Sequence, residues 1–222
     1  MAWTALPEKV TLKLQTPIPR EMKLNPKKTV LVIVDMQKRW TTVPESRSLD
    51  AVEGNAVLLK KAREAGVKVI FVQSVRKPDA LEFTRFGQEP RLIEGTWETE
   101  IDDALQPLES ETVMKKYCHD PWARSPLYDI LLEHNILPTD TTAIVTGVSA
   151  SVCANAATIG FSNRHYMTLV PMDCQASSDE VEEALIYAKY SENSYAFTTS
   201  DLIEFTNEGF MSVQQQAGLD PF

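Results

Sequence analysis

The sequence predicts an α/β fold: a six-stranded parallel sheet flanked by helices on both faces, in three layers. Three observations predict it. Apolar runs rich in β-branched residues recur at strand length, as in Thr29-Val30-Leu31-Val32-Ile33-Val34 and Thr141-Thr142-Ala143-Ile144-Val145-Thr146-Gly147-Val148, and such runs suit strands covered on both faces. Segments with helical apolar spacing separate them, and strands alternating with helices imply right-handed crossovers and parallel pairing. Finally, the 222 residues, 43% hydrophobic, contain no internal repeat, low-complexity tract or interdomain linker, so one domain of residues 25–222 is expected.

The elements follow in order. Residues 1–24 are Pro-punctuated and read as an N-terminal extension or arm; within them Val10-Thr11-Leu12-Lys13-Leu14 alternates like a short edge strand. The first core strand runs over Thr29–Asp35. A helix is expected from about Asp50 to Ala65, with Val52, Ala56 and Leu59 on one stripe and Gly66 as its stop. Val67–Val72 is the second strand. Residues 76–100, with Pro78, Gly87, Pro90 and Gly95, read as loop. The third strand is Glu111–Lys116, followed by a helix over Leu127–His134. Thr141–Val148 is the fourth strand and Val152–Ser162 a small-residue helix. Tyr166–Val170 is the fifth strand, Glu180–Tyr190 a helix and Tyr195–Thr198 the sixth strand. Asp201–Thr206 reads as the start of a final helix.

In a sheet of this kind ligands bind beyond the carboxyl ends of the strands. That rule selects Asp35, Lys116 and the turn after Val148. Cys153 lies in that turn, where a helix N-terminus offers partial positive charge and free N–H groups. Such a field favours a thiolate, so Cys153 is expected to be the most reactive of the three cysteines. A carboxylate at Asp35 would be partly desolvated and usable as a base; its plainer role is a helix cap. A cation at Lys116 would hold a thiolate and partner Asp35, its plainer role being a solvated strand end. Lys115 points the other way if strand geometry holds, and replaces Lys116 if the strand is shifted by one residue. Cys118 and Cys174 suit ordinary packing.

Bulk properties exclude some classes. The net charge of −9 disfavours nucleic acid and anionic membranes as partners. The N-terminus lacks a basic segment followed by an apolar one, and no run approaches a membrane span. Three scattered cysteines suggest a reducing, cytoplasmic setting. No G-x-G-x-x-G or P-loop follows the first strand, which weakens a nucleotide-binding reading.

Asp35, Lys116 and Cys153, in this order, resemble the isochorismatase-like cysteine hydrolase family. The resemblance rests on Val32-Ile33-Val34-Asp35-Met36-Gln37 with Trp40 after it, Glu94-Gly95-Thr96-Trp97-Glu98-Thr99-Glu100-Ile101, Lys116 followed by Trp122-Ala123-Arg124-Ser125-Pro126-Leu127, Gly147-Val148-Ser149-Ala150-Ser151-Val152-Cys153, and Val170-Pro171-Met172-Asp173-Cys174-Gln175-Ala176-Ser177. It runs from about Thr29 to Thr206. The resemblance implies a Rossmann-like, isochorismatase-type fold and a hydrolase whose nucleophile is Cys153, general base Asp35 and thiolate-stabilising cation Lys116. It implies an oxyanion hole from the N–H groups of Ser149 and Cys153, a cis peptide at Val148–Ser149, and assembly into dimers or tetramers. No cofactor is implied.

Departures narrow the chemistry. Tyr117-Cys118-His119-Asp120-Pro121 replaces the family's usual aromatic-Ser-Ala run. The Gln73-Ser74-Val75-Arg76-Lys77 segment lacks the histidines of a nicotinamidase-type metal site, so no metal is expected. A nucleophilic Cys favours C–N hydrolysis of a small amide, ureido or carbamoyl compound; enol-ether hydrolysis and a catalytically idle interaction module are the alternatives. Trp40, Arg76, Trp97, His119 and Trp122 are substrate-pocket candidates, Arg76 as a bidentate partner for a carboxylate. Their plainer roles are a solvated loop Arg and packing aromatics.

Overall fold

The computed structural model describes residues 11, 13, 14, 16–44, 46–138, 140–191 and 196–208. Its strands are β1 (Met22–Leu24), β2 (Thr29–Val34), β3 (Lys68–Ser74), β4 (Thr112–Lys116), β5 (Thr142–Val148), β6 (Met167–Pro171), β7 (Gln175–Ala176), β8 (Ala196–Thr198) and β9 (Ile203–Phe205). Its α-helices are α1 (Lys38–Thr41), α2 (Asp50–Ala65), α3 (Leu81–Thr84), α4 (Leu127–Glu133), α5 (Cys153–Ser162) and α6 (Glu180–Ser191). The main sheet has the order β4-β3-β2-β5-β6-β8. All its pairings are parallel, as the alternating pattern predicts. The small β7 adds to the end of β5, pairing with Gly147 and Val148.

Burial explains both the continuous apolar runs and the layering. All six residues of β2 are buried. Leu31 and Ile33 pack in one core with Leu58, Leu59 and Ala62 of α2. Val30, Val32 and Val34 pack in the other with Leu127 and Leu131 of α4 and Ala157 and Phe161 of α5. Alternate side chains of one strand thus feed opposite cores, as period-two geometry requires. Gly66 ends α2 in the left-handed conformation, φ 74°, a common helix stop.

Two segments differ from the sequence-based expectation. Asp201–Thr206 is not a helix: Ile203–Phe205 forms β9, which pairs in parallel with β1. The reason lies in Met22 and Leu24, which alternate with Lys23 and are 2% and 0% exposed, and in Ile203 at 1%; pairing buries these side chains where a one-turn helix could not. Residues 22–24 therefore belong to the body of the domain and not to the extension. The 76–100 loop carries the short helix α3 and a turn at Trp97–Thr99. Val10 and Leu12 of the suggested edge strand, and Tyr195 of the sixth strand, lie outside the described residues.

The chain order reverses between β2 and β5. β3 and β4 extend the sheet on one side, β6 and β8 on the other. The crevice at the carboxyl ends of β2 and β5 is the switch point where open parallel sheets bind ligands. Gly147 closes that crevice. Its φ is 104°, and a Cβ there would sit 1.9 Å from the Val34 carbonyl oxygen. Gly147→Ala is expected to cost about 3 kcal/mol or more, from backbone overpacking and a disfavoured φ together. Urea unfolding would register it as a lowered midpoint.

Candidate active site

Asp35 follows β2 directly. Its φ of 53° is unusual outside glycine, though Asp tolerates this region better than most residues. The turn is fixed by Asp35 N–H donating to Val72 O at 2.9 Å and Gln37 N–H donating to Asp35 O at 2.8 Å. The Asp35 side chain thereby points into the crevice. Lys116 ends β4 and reaches it: Nζ lies 2.8 Å from Asp35 Oδ2, with the two side chains 0% and 3% exposed. Nζ also donates to Cys118 O at 3.1 Å. Burial opposes the ammonium, but the charge of Asp35 and the nearby Cys153 outweigh it, and the Lys116 pKa is raised. Lys115 faces outward and pairs with Glu94 at 2.7 Å, so Lys116 is the lysine in the crevice. Asp35 Oδ1 is buried and has no hydrogen-bond partner.

Cys153 is the first residue of α5 and is 8% exposed. The Val148–Ser149 peptide ahead of it is cis. Ser149 O accepts from the N–H groups of Val152 and Ala154, each at 3.0 Å. Within the described residues, the N–H groups of Ser149 and Cys153 have no hydrogen-bond acceptor. The thiol differs from the thiolate that the helix N-terminus suggested. Burial pushes it up to about 12; Asp35 adds to the rise, and Lys116 lowers it without compensating. At neutral pH the resting group is a neutral thiol beside an ion pair. A local N-terminal field is the weaker effect once the sulfur is buried and faces a carboxylate.

The candidate pocket residues divide. His119 Nδ1 sits 3.4 Å from Cys153 Sγ, on the exposed loop after β4. Loss of water on its protein side lowers its pKa, and the cations Lys116, Arg76 and Arg91 lower it further. Trp122 anchors this loop from behind α5. It lies against Gly160, where a Cβ would come within 2.0 Å of its Nε1, stacks edge-on against Phe161 at 4.7 Å, and carries Arg164 over its ring at 4.1 Å. Those contacts are packing ones. Trp40 is half-buried and packs on the α2-side core. Trp97 is 55% exposed. Arg76 is buried, paired through Nε with Glu82, and donates to Ser74 Oγ at 3.0 Å and Val75 O at 2.9 Å. It is therefore neither a solvated loop residue nor a guanidinium without partners.

Three positioning groups were not singled out from sequence. Gln37 is fully buried; Nε2 donates to Ser74 O at 2.9 Å and Thr99 O at 3.0 Å, and Oε1 accepts from Ser74 N–H at 2.9 Å. It ties the ends of β2 and β3 together, and its place two residues after Asp35 was the available signal. Glu82 partners Arg76 from α3. Ser177 Oγ accepts from Ser151 N–H at 3.0 Å and contacts Ser149 Oγ at 3.1 Å, bracing the turn before Cys153. Among the described residues, no group of three or more His, Cys, Asp and Glu side chains could hold a metal ion. Nor is any described helix long and apolar enough to cross a membrane.

Comparison with known proteins gives consistent results. A family model described as the isochorismatase domain matches residues 29–201. The ureidoacrylate amidohydrolase RutB of Methylorubrum extorquens is 25% identical over 188 residues, covering 71% of this chain and 74% of its own. RutB of Acinetobacter baylyi is 24% identical over 199 residues, covering 76% and 80%. The N-carbamoylsarcosine amidase of Thermoplasma acidophilum shares the fold with a TM-score of 0.65 at 22% identity, covering 78% of this chain and 97% of its own. A cysteine hydrolase from Pseudomonas syringae pv. phaseolicola does so at 0.69 and 21%, covering 86% and 95%.

Proposed function

The chain belongs to the isochorismatase family, and from that premise we propose that it is a cysteine-dependent hydrolase. It cleaves the C–N bond of a small amide, ureido or carbamoyl compound through a thioester on Cys153. The observation that carries this reading is the buried Asp35 carboxylate, held through Oδ2 by Lys116 and acting directly on a Cys153 thiol that is protonated at rest. A carboxylate fixed by a cation and coupled to the thiol is placed to take its proton.

The thiol proton passes to Asp35 as Sγ attacks the substrate carbonyl carbon. Lys116 holds the carboxylate in place and offsets the negative charge that develops nearby. The N–H groups of Ser149 and Cys153 receive the oxyanion. Asp35 then returns the proton to the leaving nitrogen, the C–N bond breaks, and water hydrolyses the thioester. The amidohydrolase activity named for the RutB relatives supports C–N cleavage over enol-ether cleavage. The enzyme would act in the cytoplasm as a dimer or tetramer, without a cofactor.

A panel of ureido acids, N-carbamoyl amino compounds and simple primary amides, read by ammonia release, tests the reading. At least one class should release ammonia in step with its co-product, the carboxylic acid from an amide or carbon dioxide from a ureido or carbamoyl compound. Turnover of isochorismate with no ammonia from any panel member would overturn it.

A further inference from the structure

Two groups act on the Cys153 sulfur, and only one of them meets solvent. Asp35 is 2% exposed and engaged by Lys116. His119 lies on an exposed loop with Nδ1 3.4 Å from Sγ. The loop is not free to drift, because Trp122, three residues on, is locked against Gly160 and Phe161 of α5, the helix that Cys153 begins. A ring nitrogen that accepts a proton when the imidazole carries its hydrogen on Nε2 is thus held 3.4 Å from the sulfur, on a loop that meets solvent.

We propose that His119 is the general base for hydrolysis of the thioester, leaving Asp35 to the acylation step. The proposal rests on the reading of Cys153 as the acyl carrier. Water between Nδ1 and the thioester carbon gives a proton to Nδ1 while its oxygen bonds to that carbon. The C–S bond breaks, its electron pair returns to Sγ, and the imidazolium hands the proton to Sγ. The products are the free acid and the neutral thiol. The charged groups facing His119 favour its neutral, basic form. Lys116, Arg76 and Arg91 act against protonation and Asp35 acts for it; Glu82 also lies within its field.

The test uses p-nitrophenyl acetate with the full-length wild type, His119→Asn and Cys153→Ala. In His119→Asn, acylation should survive as a stoichiometric burst of p-nitrophenolate. Steady-state turnover should fall about 100-fold, within the usual range for losing a general base. Acetylated Cys153 should then accumulate by peptide mass. In the wild type, kcat should decline as pH falls through the lowered His119 pKa, and that limb should vanish in the variant. An unchanged melting temperature shows that the exposed substitution leaves the fold intact. Steady-state turnover at the wild-type rate would overturn the proposal, as would burst and turnover falling by one common factor without acyl-enzyme. A wild-type burst from Cys153→Ala would instead overturn the acyl-carrier reading itself, and this proposal with it.

Discussion

Lys116→Met is expected to lose about 3–5 kcal/mol of stability and essentially all turnover. The lysine is fully buried and its partner nearly so. Removing one member of a buried pair leaves the other charge without compensation, and the quoted range is the usual cost. Asp35 must then be carried as an unpaired carboxylate or neutralised by a proton, and in the protonated form it cannot accept from the thiol. The double variant Asp35→Asn/Lys116→Met separates the two effects. With both charges gone, stability should largely return while activity does not, because replacing a whole buried pair is often close to neutral. Urea unfolding and ammonia release measure the two quantities independently. The pH sign also follows. A raised lysine pKa contributes stability in full below the unfolded value of 10.5 and loses it as pH climbs through the higher folded value. The Lys116 contribution should therefore be flat from neutral pH to about pH 10 and disappear only in more alkaline solution, and Lys116→Met should flatten that alkaline limb.

Cys153→Ala is expected to reduce turnover by at least about 10⁴-fold, since nucleophile and base act as a unit and loss of the nucleophile removes nearly all of their joint effect. Binding should survive, because the ion pair, the turn and the N–H groups of Ser149 stay in place. The sulfur is small and 8% exposed, so stability should change little. Cys153→Ser is the sharper variant: it keeps the shape but puts a harder proton to remove at the same position. Its turnover should stay near that of Cys153→Ala, measured as ammonia release from whichever panel compound the wild type hydrolyses.

The sheet was legible because its central strands β2 and β5 are buried throughout, so that they appear as mostly apolar, β-branched runs. Asp35, Lys116 and Cys153 were legible for a related reason: each sits at the carboxyl end of a strand or in the turn after it, and parallel sheets bring those ends together. The choice between Lys115 and Lys116 follows from strand alternation once the register with Gln73 and Ser74 is fixed. What could not be read was whatever depends on distant segments meeting. β1 and β9 are three residues each, too short for a periodic signal, and each exists only because the other buries it. The thiol was expected to be ionised from a local feature, the start of α5; the opposing terms, burial and Asp35, come from tertiary packing. The contact of His119 with Sγ depends on Trp122 finding Gly160 across 38 positions of sequence, and the pairing of Arg76 with Glu82 depends on a helix inside a segment that reads as loop.

The most direct test is to look for the covalent intermediate. Wild-type enzyme would be mixed in excess with an amide or carbamoyl compound that it hydrolyses, quenched in acid at successive times and mapped by peptide mass. The account predicts a transient adduct on the Cys153 peptide, acyl from an amide or carbamoyl from a carbamoyl compound, labile to neutral hydroxylamine, rising as the leaving nitrogen departs and decaying as the carboxylic acid or carbon dioxide forms. Full ammonia release with Cys153 unmodified at every time point, or an adduct on Cys118 alone, would contradict it.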